Sequence, residues 1–73
     1  MTVKEILLEV FLATFEIGQT FTKGEIYRSA KNADSSIKES TVGWIISLVL
    51  VGLGYIVLVG KDKNGANIYK RIK

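Results

Sequence analysis

The chain has 73 residues, 48% of them hydrophobic and 23% charged, with a net charge of +3 and neither Cys nor His. That length gives one domain with one core, because a domain this small buries only about 60% of the surface its unfolded chain exposes, and the composition is far from that of a disordered segment. The missing residue types remove disulfides, zinc fingers, thiol nucleophiles and the usual acid–base side chain near neutral pH, and the scattered carboxylates bring no phosphate loop with them, so neither an enzyme nor a cofactor is expected.

Helix 1 is predicted over about residues 2–17. Val3, Ile6, Leu7, Val10, Phe11 and Thr14 recur at three- and four-residue steps, the stripe of an amphipathic helix. Beside that stripe lie Leu8, Leu12 and Phe15, more apolar than a solvated face needs, and they are the candidate dimer or partner surface. Glu5 and Glu9 interrupt the first segment, so it does not read as a secretory leader, and a cytoplasmic address is the expectation. Gly18 suits a helix stop, and Gln19-Thr20-Phe21 reads as a short extended link.

Thr22-Lys23-Gly24-Glu25 has the pattern of a capping box and opens helix 2, predicted over about 22–32 with Ile26, Tyr27 and Ala30 inward. The run Asn32 to Ser36 has the chemistry of a turn. Helix 3 is predicted over about 38–53, with Ser40 or a neighbour as N-cap and Val42, Ile45, Ile46, Val49 and Leu53 along its buried stripe. Its other face carries Ser40, Thr41, Trp44, Ser47, Leu48 and Val51. Gly52-Leu53-Gly54 closes it; the pair of glycines is no nucleotide motif, since it follows a helix and precedes a strand.

A hairpin is predicted over about 55–72. Tyr55 to Gly60 is β-branched and aromatic, and Asn64-Gly65 favours a two-residue turn with positive φ at both central positions. Ile68 and Ile72 fall on one face of the second strand, Tyr69 and Arg71 on the other. Charge divides the chain at this hairpin: residues 1–54 hold five cations against six carboxylates, residues 55–73 five cations against one. The C-terminal end therefore holds the cationic surface.

Three helices followed by a hairpin, with Ser40-Thr41-Val42 opening helix 3 and Gly54-Tyr55-Ile56 leading into the hairpin, resemble the winged-helix (winged helix-turn-helix) DNA-binding domains of small prokaryotic or viral transcription regulators. The resemblance covers nearly the whole chain and implies a single α+β domain, residues 1–73. It further implies a transcription regulator that binds double-stranded DNA, as a homodimer, with helix 3 in the major groove and the hairpin wing on the backbone. Carried onto this sequence, Ser40, Thr41, Trp44 and Ser47 face the groove, Lys38 meets phosphate, and Lys61, Lys63, Asn64, Lys70 and Arg71 form the wing.

The outward face of helix 3 departs from the pattern in having no Arg, Gln or Asn, the residues that most often make bidentate base contacts. An alternative is therefore a winged-helix interaction or oligomerisation module, with Trp44, Leu48 and Val51 as its contact surface. Plainer roles exist too: Ser40 and Thr41 as caps, Trp44 as packing, the hairpin lysines as guards of an edge strand. A lesser alternative is a single-span membrane protein, because Val42 to Gly60 runs without a charge for the length of a spanning helix.

Overall fold

The computed structural model describes residues 2–73. Three helices pack against a three-stranded antiparallel sheet in the order α1 (Val3–Thr14), β1 (Thr20–Thr22), α2 (Lys23–Ala33), α3 (Glu39–Ile45), β2 (Ile56–Lys61), β3 (Asn67–Arg71). The sheet order is β1-β3-β2, so β3 is central and the hairpin is joined by a strand from between the first two helices. Thr20 pairs with Lys70, Phe21 with Tyr69 and Thr22 with Ile68. The segment expected to be a bare link is thus a strand.

Helix α1 begins with a capping box. The Glu5 amide donates to the Thr2 hydroxyl at 3.2 Å and the Thr2 amide to the Glu5 carboxylate at 3.3 Å. No such box forms at α2: Thr22 occupies the N-cap position without a side-chain cap, because it is also the last residue of a paired strand. Helix α1 ends at Thr14, short of residue 17, because Phe15 turns into extended backbone. That turn drops the Phe15 ring into the core, where it stacks on Phe21 with centroids 4.4 Å apart. Phe11 meets Phe21 at 5.9 Å and Tyr55 at 6.1 Å. This aromatic cluster joins α1 to β1 and to the start of β2, and stacked or tilted pairs of this kind add about 0.5–1.5 kcal/mol each beyond burial.

Phe15, expected on a partner surface, is only 4% exposed. The buried stripe of α1 is Leu7, Phe11, Phe15, while Thr14 faces solvent and Leu8 is half-buried against the core. The i, i+4, i+8 spacing of that stripe is helical, and an aromatic residue in extended backbone at the helix end continues it by one position.

The third helix starts at Glu39 with Lys38 as N-cap, so Ser40 lies inside the first turn. Beyond Ile45 the helix widens into a π turn over Ile46–Leu50, closed by the Val51 amide donating to the Ile46 carbonyl at 3.0 Å. The extra residue in that turn shifts the inward phase. Leu50 is fully buried in place of Val49, which is half-buried, and Leu53 is exposed. The end is a Schellman motif: the Tyr55 amide donates to the Leu50 carbonyl, the Gly54 amide to Val51, and Gly54 takes φ +78°. The uncharged run Val42 to Gly60 is therefore a helix, a glycine turn and a strand. Among the described residues no helix is long and apolar enough to cross a membrane, and the run expected as a single span is not one helix.

The hairpin turn also differs from expectation. Among the described residues only glycines have positive φ, so Asn64 does not, and Gly65 at +84° closes a three-residue loop. The Asp62 amide donates to the Ala66 carbonyl and the Gly65 amide to the Asp62 carbonyl. The Asp62 carboxylate accepts from the Asn64 amide at 2.8 Å and the Ala66 amide at 2.9 Å. That side-chain turn competes with the two-residue geometry and wins it. A bulge at Val59 separates the Leu58–Tyr69 pair from the Gly60–Ile68 pair.

Candidate nucleic-acid interface

Helices α2 and α3 are joined by a turn over residues 34–38. The Asp34 carboxylate accepts from the Ser36 hydroxyl at 2.7 Å and the Ser36 amide at 3.0 Å, and Ile37 plugs the turn into the core. The Ser36 hydroxyl first, and its amide second, hold the Asp34 carboxyl below its ordinary value. This turn sets the direction in which α3 leaves α2.

With its buried side fixed by Val42, Ile45, Ile46 and Leu50, the third helix turns Ser40, Trp44, Ser47, Leu48 and Val51 outward. Trp44 is 56% exposed and Leu48 62%. Thr41 is half-buried. At the N-terminal end Lys38 is exposed, and Glu39 is held by Lys23 at 3.5 Å, a surface ion pair. Gly43 lies on the side toward α2: a Cβ there would meet the Lys23 side chain at 3.5 Å.

The hairpin cations do not form one cluster. Lys61, Lys63 and Asn64 sit together at the tip, all exposed. Lys70, also exposed, is paired with Val57 and Thr20 on the sheet, three residues along β3 from the tip, or about 10 Å at the rise of a strand. Arg71 faces the other way. Its guanidinium lies over the Phe11 ring at 5.3 Å, and its Nη1 donates to the carbonyls of Phe15 and Leu12 while Nε donates to that of Lys73. These are the free carbonyls at the C-terminal end of α1, where a cation also favours the helix dipole. The geometry makes Arg71 the cap of α1 and engages its Nε and Nη1 donors there, on the inner side of the hairpin.

Among the described residues the one ion pair is Lys23–Glu39, so Lys38, Lys61, Lys63 and Lys70 carry uncompensated charge at the surface. Three further exposed apolar residues gather round Arg71: Leu12, whose carbonyl it binds; Ile17, beside Gly18, whose amide donates to the Arg71 carbonyl; and Ile72. Ile17 follows no periodic stripe and Ile72 belongs to the strand pattern of the hairpin; the pairing of β1 with β3 brings their backbone to the end of α1 that Arg71 caps. Val57, Leu58 and Val59 on the edge strand β2 are exposed as well. No three His, Cys, Asp or Glu side chains among the described residues lie together as a metal site would require.

No protein-family model matches the sequence, and no curated protein matches it. Among solved structures, a manganese uptake regulator superposes on the whole of this chain with a TM-score of 0.73 at 23% identity. The chain has the winged-helix fold. It spans 51% of that regulator's chain, so about half of the neighbour has no counterpart here. In winged-helix terms α2 and α3 form the helix-turn-helix, and the β2–β3 hairpin is the wing.

Proposed function

We propose that this winged helix is a DNA-binding transcription regulator, with α3 entering the major groove and the wing resting on the phosphate backbone. The observation that carries the reading is the placement of charge around α3. Lys38 at its start and Lys61 and Lys63 at the wing tip are exposed and unpaired among the described residues, and no charged side chain falls between Val42 and Gly60. A helix whose one carboxylate is paired with Lys23, with unpaired cations before it and on the wing after it, suits a groove walled by phosphates. The solved neighbour is named a regulator, which agrees with this reading.

Lys38, Lys61, Lys63 and Lys70 supply the phosphate contacts; Asn64 adds an amide at the tip. Arg71 supports the wing from inside. The groove-facing side chains are Ser40, Trp44 and Ser47, with Thr41 half turned toward the core. A homodimer would present two such helices to a two-fold site, and Leu12, Ile17 and Ile72, exposed apolar residues at the end of α1 and of the sheet, are candidates to join the copies. A second reading, a protein-interaction module, is favoured by one observation: Trp44, Leu48 and Val51 are all exposed on the helix that should read DNA.

The test is the triple charge reversal Lys61→Glu, Lys63→Glu, Lys70→Glu, with duplex binding followed by fluorescence anisotropy at low salt. The DNA-binding reading requires loss of at least tenfold in affinity with the fold retained by circular dichroism. Unchanged affinity would remove the wing from the interface.

A further inference from the structure

From the side chains that α3 turns outward, we infer that this protein prefers thymine-rich duplex DNA, read through the thymine methyl groups, with Trp44 as the specificity-determining residue. The inference rests on the DNA-binding reading above and specifies its ligand.

Ser40 and Trp44 on α3, Ser47 and Leu48 in its π turn and Val51 at its end are all exposed, and the eleven residue steps they span reach at most about 16 Å at the rise of an α-helix. That is more than the major groove's width of about 12 Å, so a crossing helix brings several of these side chains to base edges. Guanine is distinguished there by paired acceptors that call for Arg or Lys, adenine by an acceptor and donor that call for Asn or Gln, and cytosine by an amino group that calls for a carboxylate. This stripe has none of those partners. The nearest carboxylate, Glu39, is engaged by Lys23, and the nearest amine, Lys38, stands at the N-cap, outside the stripe.

Thymine alone adds an apolar group to the groove, the C5 methyl, and apolar side chains are what the stripe offers. Hydroxyls at Ser40 and Ser47 accept any base and so do not oppose this choice. Among the apolar side chains of the stripe Trp44 has the largest exposed surface and lies nearest the N-terminal end of the helix, the part that reaches deepest in this docking mode. Charge favours DNA over an apolar protein partner for the same face: Lys38 precedes the helix, Lys61 and Lys63 lie on the wing that follows it, and the carboxylate in its first turn, Glu39, is paired with Lys23, so the unpaired charge on the two elements is mainly positive, which fits a polyanion.

The experiment compares four duplexes of equal length by anisotropy: an A·T-rich duplex, the same duplex with uracil replacing every thymine, a G·C-rich duplex, and that G·C duplex carrying 5-methylcytosine. Uracil removes the methyl and little else; 5-methylcytosine puts a methyl at the same place in the groove. The expected result is at least fivefold weaker binding to the uracil duplex, partial recovery with 5-methylcytosine, and loss of the thymine–uracil difference in Trp44→Ala. Leu48→Ala, on the same exposed face, is the second variant and should halve the difference or more. Equal binding of thymine and uracil duplexes overturns the inference while salt-sensitive binding to both keeps the DNA-binding reading, and the same holds if only A·T and G·C duplexes differ, the mark of groove shape. Absence of binding to all four at low salt overturns both readings.

Discussion

The Arg71 guanidinium donates to the Phe15 carbonyl across 56 residues of sequence, from the last strand to the end of the first helix. The contact is charge-assisted, and it closes the helix that carries Leu7 and Phe11 in the core. Bonds of this class contribute about 1.5–3 kcal/mol. Arg71→Met should therefore lower stability by about 2 kcal/mol, or about 10 °C in Tm for a domain of this size. The slope of DNA affinity against salt should stay as in the parent protein, since the residue faces inward. A reduced slope with unchanged Tm would return Arg71 to the wing surface.

Phe15 tests the same end of the helix from the apolar side. Phe15→Ala removes a buried ring stacked on Phe21, at a cost of about 3–5 kcal/mol. A domain of this length has about 4–11 kcal/mol in total, so the variant should be marginal by urea denaturation. Were Phe15 a partner contact instead, the variant would keep its urea midpoint and change only its association state.

Two glycines should respond in opposite directions to the same substitution. A Cβ on Gly52 would stand 2.5 Å from the Leu48 carbonyl oxygen, inside the π-widened end of α3. Gly52→Ala should destabilise by about 1–3 kcal/mol, as overpacking against backbone does. Gly24 lies in α2 with its nearest neighbour, the Thr22 hydroxyl, at an ordinary 3.8 Å. Gly24→Ala should stabilise by about 0.5–1 kcal/mol. Thermal melts of the two single variants decide both.

The turn between α2 and α3 should be sensitive to acid. Hydrogen bonds from Ser36 lower the Asp34 pKa below its ordinary 3.8, so the carboxylate is favoured in the folded state. Its contribution to stability is present above the unfolded value and is lost as pH falls through the lower folded value. An NMR titration of the Asp34 carboxyl should find a midpoint below 3.8, and Ser36→Ala should move it upward. An unshifted midpoint in the parent would mean that the Ser36 hydroxyl does not bind the carboxylate in solution.

Much of the architecture was legible in residue patterns. The order of helices and the hairpin followed from periodicity and from the glycines at 54 and 65, because these features are local. What was not legible depended on contacts between distant segments. Thr20 to Thr22 is too short to announce a strand and becomes one only by pairing with β3. Phe15 lies just beyond its helix, where the turn into extended backbone and the stacking on Phe21 decide which way its ring points. Arg71 reads as one more cation in a basic hairpin until the strand register turns it toward α1. The π turn moved the buried position from Val49 to Leu50, a shift of one residue that a fixed 3.6-residue period cannot express. Among the residues expected to meet DNA, the exposure of Ser40, Trp44, Ser47 and the wing tip was legible, since it depends on one helix and one turn; the half-burial of Thr41 and the separation of Lys70 from the tip needed the packed fold.

Trp44 is the only tryptophan in the chain, so its fluorescence reports on the outer face of α3 and on nothing else. Titration of the protein with duplex DNA at several salt concentrations, watched through that emission, tests the DNA-binding account most directly. DNA binding through α3 and the wing predicts a saturable change whose affinity falls with salt at a log–log slope of about −3 to −4 per protomer bound, for phosphate contacts by Lys38, Lys61, Lys63 and Lys70. Emission that stays constant through saturating duplex at low salt would contradict it.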